Sequence, residues 1–279
     1  MKKSISYYSC PEFLSEGSAL NDFLHPNRII VGTNTKAPER LIRDLHCGIK
    51  STYLFTDTTT AEMIKCASNV FLSTKISFIN EIAILCDHVG ADINEVRQGI
   101  GTDSRIGPSF LFPGMGFGGS CFPKDLRALN HTAKRNNVDL QVIQAVINAN
   151  ETQKKYIPKK ISKHFNGNLS GLNVAVWGLA FKANTDDIRE SPATPLIDFL
   201  LKQGAIVRAY DPQAMKAAER IYHDRLIYSS NVYDAVVNAD ALVIATEWNE
   251  FRHPDFERIS QSMRQTVIFD GRNLFSPKA

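Results

Sequence analysis

The sequence has little of what staples, chelates or membranes require. Its five cysteines, Cys10, Cys47, Cys66, Cys86 and Cys121, are odd in number and include no C-x-x-C pair. That argues against a disulfide framework or a thiolate zinc site, and for a reducing compartment. The seven histidines never fall at an H-x-x-x-H spacing, so no metal is expected. No apolar run approaches the roughly 20 residues of a membrane span. The opening Met1-Lys2-Lys3-Ser4-Ile5-Ser6 lacks the apolar stretch of a signal peptide. The expectation is a cytoplasmic protein with no membrane partner. Charge is scarce as well: the net value is +3, and the basic residues are scattered in short pairs such as Lys159-Lys160. This balance excludes a nucleic-acid footprint and suits a small anionic ligand.

What is present falls into three stretches. Residues 1–57 read as mixed structure, with strands at Arg28–Gly32 and Thr52–Phe55 and a helix from Pro38 to Cys47. From residue 58 to 166 the apolar positions change period. Met63, Ile64, Ala67, Val70, Phe71, Ile76, Ile79, Ile82, Ala83 and Leu85 recur at threes and fours with no breaker before Gly90. This spacing predicts one long helix capped by the Thr58–Thr60 run, followed by a shorter helix at Asp92–Ile100. Residues 101–122 carry six of the sixteen glycines and prolines at 108 and 113, so they are read as a loop. Helices resume near Lys124–Asn136 and from Asp139 to about Phe165, with a disturbance at Pro158.

The polar, Gly-rich 166–171 stretch marks the last boundary. Beyond it, buried-strand runs at Val174–Trp177, Ile206–Tyr210, Ala241–Ala245 and Val267–Phe269 alternate with helical stretches near Pro192–Gln203, Gln213–Arg220 and Val232–Ala239. Such alternation predicts a parallel sheet covered on both faces, hence an α/β class.

Three groups carry chemistry. In Phe117-Gly118-Gly119-Ser120-Cys121-Phe122-Pro123-Lys124-Asp125, paired glycines let backbone approach a ligand closely. A thiol follows, just before a Pro that bars helix, with a lysine and a helix start close by. Both lower a thiol pKa and favour the nucleophilic thiolate. The alternative for Cys121 is a small buried cysteine in a tight loop; for Cys66 and Cys86, in the apolar helix, that filler reading holds. Lys65 and Asn69, four apart on the long helix, share a face and form either an oxyanion-directed pair or a solvated polar stripe. Glu12 and Glu16 have the same spacing and read either as bases or as exposed carboxylates.

Taken together, Pro11–Glu16, Ala61–Asn69, Ser77-Phe78-Ile79-Asn80-Glu81, Ser104-Arg105-Ile106-Gly107, the Gly-Gly-Ser-Cys loop and Gly178-Leu179-Ala180-Phe181-Lys182 resemble the UDP-glucose 6-dehydrogenases of the UDP-glucose/GDP-mannose dehydrogenase family, in that family's order. The resemblance implies a remnant of an N-terminal Rossmann (NAD-binding) domain at 1–57. It implies a central helical, dimerising and catalytic domain at 58–166, and a doubly wound UDP-binding domain at 167–279. It implies two oxidations of UDP-glucose at C6 to UDP-glucuronate with two NAD and one water. Cys121 matches the nucleophile that forms a thiohemiacetal and then a thioester. Lys65 and Asn69 match the oxyanion-stabilising groups, Asp125 a water-holding carboxylate, and Glu12 and Glu16 acids that help thioester hydrolysis. Substrate contacts are implied for Phe13, Leu14, Phe110, Gly114, Phe117, Gly118, Phe181 and Lys182. Arg272 is implied at the UDP phosphates, and Arg105 at the substrate of a neighbouring subunit in a homodimer built on the long helix. Glu16, Lys124 and Arg189 match residues near the NAD.

The family's dinucleotide turn, G-x-G-x-x-G between its first strand and helix, has no counterpart here. Gly178-Leu179-Ala180-Phe181-Lys182 follows a strand but lacks the second and third glycines, and no acidic residue is read as suitably placed for a ribose. The expectation is therefore a chain without most of its NAD domain, inactive alone. Two other readings stand beside it. One is a non-catalytic nucleotide-sugar-binding or subunit-association module; the other is a dehydrogenase of GDP-mannose or a UDP-N-acetyl sugar.

Overall fold

The computed structural model describes residues 7–34 and 39–275. The chain divides into two compact units, residues 1–71 and 72–279.

The first unit holds a three-stranded sheet. Strand β1 (Tyr8–Ser9) runs antiparallel to β2 (Arg28–Thr33), and β2 pairs in parallel with β3 (Thr52–Thr56). Helix α1 (Ala19–Leu24) joins β1 to β2, and α2 (Glu39–Leu45) joins β2 to β3. Pro38, the expected start of α2, lies outside the described residues. Helix α3 (Thr58–Val89) begins in this unit. Its start is not capped by the threonine run as expected. Asp57 does that work, accepting from the Thr60 amide at 2.9 Å and the Thr60 hydroxyl at 2.7 Å, while the threonines form the first turn. Gly32 lets β2 close on this helix, since a Cβ there would lie 2.6 Å from that of Ala61.

Helix α3 departs from one expectation. By length and composition it is apolar enough to cross a membrane, with an 18-residue window of mean hydropathy 1.3. Only 39% of that window is buried, and Met63, Phe71, Phe78, Leu85 and Val89 lie exposed along it. The expectation of no such run was mistaken because small and polar residues interrupt the stretch by eye without lowering its average enough.

In the second unit, α4 (Ile93–Gly101) is capped by Asp92, which accepts from the Asn94 amide at 2.8 Å. Residues 102–120 then run without helix to α5 (Cys121–Arg135). This helix starts three residues earlier than expected, because Pro123 sits in its first turn, where an amide N–H would have no intrahelical partner. Helices α6 (Gln141–Gln153) and α7 (Tyr156–His164) follow. The expected disturbance at Pro158 falls instead at Lys154-Lys155, and Pro158 again occupies a first turn.

Five parallel strands complete the unit: β4 (Asn173–Trp177), β5 (Ile206–Tyr210), β6 (Ile227–Tyr228), β7 (Ala241–Ile244) and β8 (Ile268–Asp270), in the order β6-β5-β4-β7-β8. Helices α8 (Ala193–Lys202), α9 (Met215–Tyr222), α10 (Val232–Val236) and α11 (Phe256–Ser262) connect them. Alternate residues of β4 feed opposite faces. Val174 and Val176 join a core with Leu196, Ile197 and Leu200, while Ala175 and Trp177 join one with Val236, Phe251 and Ile259. Burial on both faces is why these strands read as continuous apolar runs. The chain leaves β4 toward β5 on one side and returns to β7 on the other, so the carboxyl ends of β4 and β7 form the switch point where open α/β sheets bind ligands.

Candidate active site

In the first unit, Pro11–Glu16 folds back on the start of α3. Lys65 Nζ meets Glu12 Oε1 at 3.1 Å and lies 5.4 Å from the Phe13 ring centroid. The other Glu12 oxygen accepts from the Leu14 amide at 2.6 Å. Asn69, one turn along from Lys65, is buried, and Glu16 is partly buried. The structure thus brings Glu12, Phe13, Leu14 and Lys65 into one contact group. It adds Arg28, which sequence reasoning passed over. Its guanidinium lies 4.1 Å from the Phe13 centroid and donates to Ser68 Oγ at 3.2 Å. The signal was there in an arginine opening a strand opposite an aromatic, a cation–π pairing.

In the second unit, the 113–121 loop lies across the carboxyl ends of the strands. Gly178, just past β4, has φ of +98°, and a Cβ there would meet Thr246 at 2.4 Å. A Cβ at Gly271, after β8, would meet Met115 at 2.6 Å, and one at Gly114 would meet the Arg272 guanidinium at 2.9 Å. A Cβ at Gly118 would lie 2.3 Å from the Glu190 carbonyl oxygen, and one at Gly119 would lie 2.8 Å from the Phe181 ring. These glycines mark places where backbone packs against backbone or a side chain with nothing to spare. Gly114-Met115-Gly116-Phe117-Gly118-Gly119 happens to spell G-x-G-x-x-G, but it follows a loop rather than a strand.

Four amide side chains grip this loop. Asn80 of α3 accepts from the Gly114 amide at 2.8 Å, and Gln153 of α6 donates to the Gly114 carbonyl at 2.6 Å. Asn150 both accepts from the Phe117 amide at 2.8 Å and donates to its carbonyl at 3.1 Å. Asn273 donates to the Pro113 carbonyl at 3.2 Å. All four escaped sequence reasoning, although Asn150 and Gln153 stand on the buried face of α6, where an amide needs a partner.

The loop delivers Cys121 as the first residue of the 15-residue α5, with its side chain exposed. Ser120 Oγ lies 3.7 Å from Sγ. Phe122 packs edge-on against Phe117, with centroids 5.9 Å apart, and lies 6.3 Å from Phe110, which holds φ of +64°. Asp125 is buried and pairs with Lys124 at 2.7 Å. Lys182 Nζ lies 5.6 Å from the Phe181 centroid. Arg272 forms an ion pair with Glu247. Burial pushes the Glu247 carboxyl up, but the arginine outweighs it and holds the group below the usual carboxylate range. The guanidinium groups of two expected residues turn to local partners: Arg105 forks onto Asp103 and is exposed, and Arg189 forks onto Asp187.

One acidic residue bears on the expectation that none is suitably placed to take a ribose. Asp211, just past β5, stands where a doubly wound sheet carries that carboxylate. It is 1% exposed and already saturated. One oxygen accepts from the amides of Leu179 (2.7 Å) and Ala180 (3.1 Å) and from Trp248 Nε1 (3.0 Å); the other accepts from the amides of Gln213 (2.9 Å) and Ala214 (2.8 Å). The carboxylate therefore binds the domain's own turn, and no ribose.

Three domain descriptions of one family match the chain. The NAD binding domain of the UDP-glucose/GDP-mannose dehydrogenase family matches residues 1–50, its central domain 59–152, and its UDP binding domain 175–277. Among curated proteins, the UDP-glucose 6-dehydrogenase of Pseudomonas aeruginosa is 44% identical over 281 residues, covering 98% of this chain and 62% of that protein. That of Rickettsia conorii is 42% identical over 273 residues, covering 97% and 63%. The chain thus spans about three fifths of the length of the curated relatives it matches. Among solved structures, a UDP-glucose dehydrogenase from Pyrobaculum islandicum is similar at a TM-score of 0.90 and 37% identity, covering 96% of this chain and 60% of that one. A UDP-D-ManNAc dehydrogenase from Pyrococcus horikoshii is similar at 0.84 and 30%, covering 98% and 62%. With matched motifs, matched order and a shared fold across nearly all of its residues, this chain belongs to the UDP-glucose/GDP-mannose dehydrogenase family.

Proposed function

We propose that this chain carries the UDP-sugar pocket and the nucleophile of an NAD-dependent UDP-glucose 6-dehydrogenase, which makes UDP-glucuronate in the cytoplasm. The observation that carries the reading is the placement of Cys121. It opens α5 at the end of a loop seated on the ligand-binding edge of the five-stranded sheet, in the same unit as Arg272 and Lys182. A UDP pyrophosphate suits Arg272 because a guanidinium fork can make two bonds to it. Phe110, Gly114, Phe117, Gly118, Phe181 and Lys182 line the sugar side in this reading.

The thiolate of Cys121 adds to the C6 aldehyde to give a thiohemiacetal. After the second oxidation a thioester remains, and water cleaves it to release the acid and the free thiol. In the family's pattern Lys65 and Asn69 match the oxyanion-stabilising groups, Asp125 the water-holding carboxylate, and Glu12 and Glu16 the acids that assist hydrolysis. NAD, when bound, accepts the hydride at each oxidation. The described residues do not fit a whole NAD: no strand leads into a glycine turn of the dinucleotide kind, and Asp211 is spent. Glu16, Lys124 and Arg189 match family residues near the NAD, and none of them supplies the missing turn.

The family's three domains fall inside the limits 1–57, 58–166 and 167–279, and these remain our functional division. The exposed apolar side chains along α3 support a homodimer through this helix, with Arg105 reaching the partner's substrate.

The test is thiol labelling. Alkylation at neutral pH with peptide mapping is expected to modify Cys121 ahead of Cys66 and Cys86, and UDP-glucose is expected to protect it. Labelling that ignores UDP-glucose would defeat the reading.

A further inference from the structure

Glu190 lies outside every role assigned so far, yet it touches three elements of the second unit. Its Oε1 accepts two bonds from Arg127, a residue of α5, each 3.1 Å long. Its Oε2 accepts from Lys154 Nζ at 3.3 Å. Lys154 is itself buried at the break between α6 and α7, where Glu151 holds it from the other side at 2.9 Å. The Glu190 backbone is left-handed, with φ of +54°, a conformation that a non-glycine residue keeps only when its surroundings impose it. What it seats is the cysteine loop. The carbonyl of Arg189 accepts from the Gly119 amide at 2.9 Å, and the carbonyl of Glu190 lies against Gly118 with no room for a Cβ. The Lys154 side chain also borders the loop, 3.4 Å from where a Cβ on Gly116 would be.

We propose that Glu190 is a positioning residue: clamped by Arg127 and Lys154, it fixes the seat of Gly118 and Gly119 and so the place of Cys121 at the start of α5. The inference rests on the reading of Cys121 as the nucleophile. The geometry leaves the seat no slack, because the Phe181 ring also closes on Gly119. A displaced Glu190 therefore displaces the two glycines that lead into the thiol. An ordinary stabilising ion pair would act differently, since its loss would loosen the whole unit rather than one loop.

The experiment uses the full chain and the isosteric Glu190→Gln, with hydrogen exchange and thiol mapping on the same samples. The 117–122 segment is expected to exchange about tenfold faster, the change that losing one charge-assisted hydrogen bond produces in a local opening equilibrium. Strand 206–210 keeps its parental rate. Cys121 alkylation slows by about threefold as the thiol leaves the helix terminus, while Cys10 and Cys47 label as before and Cys86 stays protected. Arg127→Ala, which removes an exposed partner and spares the core, gives a smaller change of the same kind. It adds nothing on top of Glu190→Gln, because the two act as one unit. Unchanged exchange at 117–122 would overturn the proposal, as would equal acceleration at 206–210 with new labelling of Cys86. Should Glu190→Gln fail to fold, Arg127→Ala alone decides between these outcomes. A parent chain whose Cys121 does not react would defeat the functional reading instead, and the exchange result would still judge the clamp.

Discussion

The two sheets of this chain are built from the same alternation of strand and helix, yet they differ in what they enclose. In the five-stranded sheet, every residue of β7 is fully buried, and separate cores fill both faces. In the three-stranded sheet only Ile30, Val31 and Gly32 of β2 are buried, while β3 leaves Leu54 half open. Leu20, Phe23 and Leu24 on α1, and Leu41 and Leu45 on α2, are exposed. A parallel pair of strands is therefore insufficient for a ligand-binding domain. The layers on both faces make a switch point rigid enough to hold a loop against it.

The sharpest way to break this comparison is to ask the thinner sheet for NAD chemistry. Hydride transfer requires the nicotinamide held in a fixed orientation, and losing that positioning costs roughly five to eight powers of ten in rate. A polypeptide of these 279 residues is expected to form no NADH from UDP-glucose above background. Fusing or adding the glycine-turn segment of a close relative is expected to restore turnover, and Cys121→Ser to abolish the gain. Absorbance of NADH decides it, and robust turnover by the unsupplemented polypeptide would mean NAD binds where no turn was found.

A smaller effect probes the thicker sheet. Asp211→Ala leaves five donors without their acceptor, four of them buried. At about 1–3 kcal/mol for each group left unsatisfied, partly relieved by water, the loss is expected to exceed about 3 kcal/mol in chemical denaturation. A loss below about 1 kcal/mol, the worth of one ordinary neutral hydrogen bond, would show that the carboxylate is not the anchor of its turn.

The smallest effect depends on pH. Glu247 has a depressed carboxyl in the folded chain, so its pairing with Arg272 contributes stability above the unfolded glutamate value. That contribution fades as pH falls through the folded value. In Arg272→Met burial is opposed only by the backbone amides of Glu247 and Ala183, and the carboxyl rises. The variant is then expected to be least stable, relative to the parent, at neutral pH, with the gap closing in acid. Melting temperatures measured from pH 7 to pH 4 check this, and parallel curves would sink it.

How much of this was legible beforehand follows from physical kind. Strand Ile206–Tyr210 was read to the residue, because its apolar run is broken only by Arg208 and its alternate residues Val207 and Ala209 are buried. The long helix was read within two residues at its start for a similar reason. Short elements such as α1, β6 and α11 were missed, since their positions come from neighbours rather than from their own patterns. Pro123 and Pro158 misled because a proline in a first turn and a proline that ends a helix look alike in sequence. In the site, the glycines and Cys121 announced themselves by type. Asn80, Asn150, Gln153 and Asp211 did not, because their partners are backbone groups that only the folded chain brings near.

Asp211 also bears on how such a domain can change its ligand. In a sheet of this topology the simplest evolutionary or engineering step toward dinucleotide recognition is to recruit the carboxylate after the second strand. Here that carboxylate already carries the turn before Phe181, the start of α9 and the Trp248 indole. Releasing it for a ribose would strand all of them at once, so no single substitution leads there. A series of mutations that first gave those five donors new acceptors would have to cross intermediates with unpaired buried groups. The domain is thus committed to its present kind of ligand by its own internal bonding, whatever residues are exchanged at the rim of the pocket.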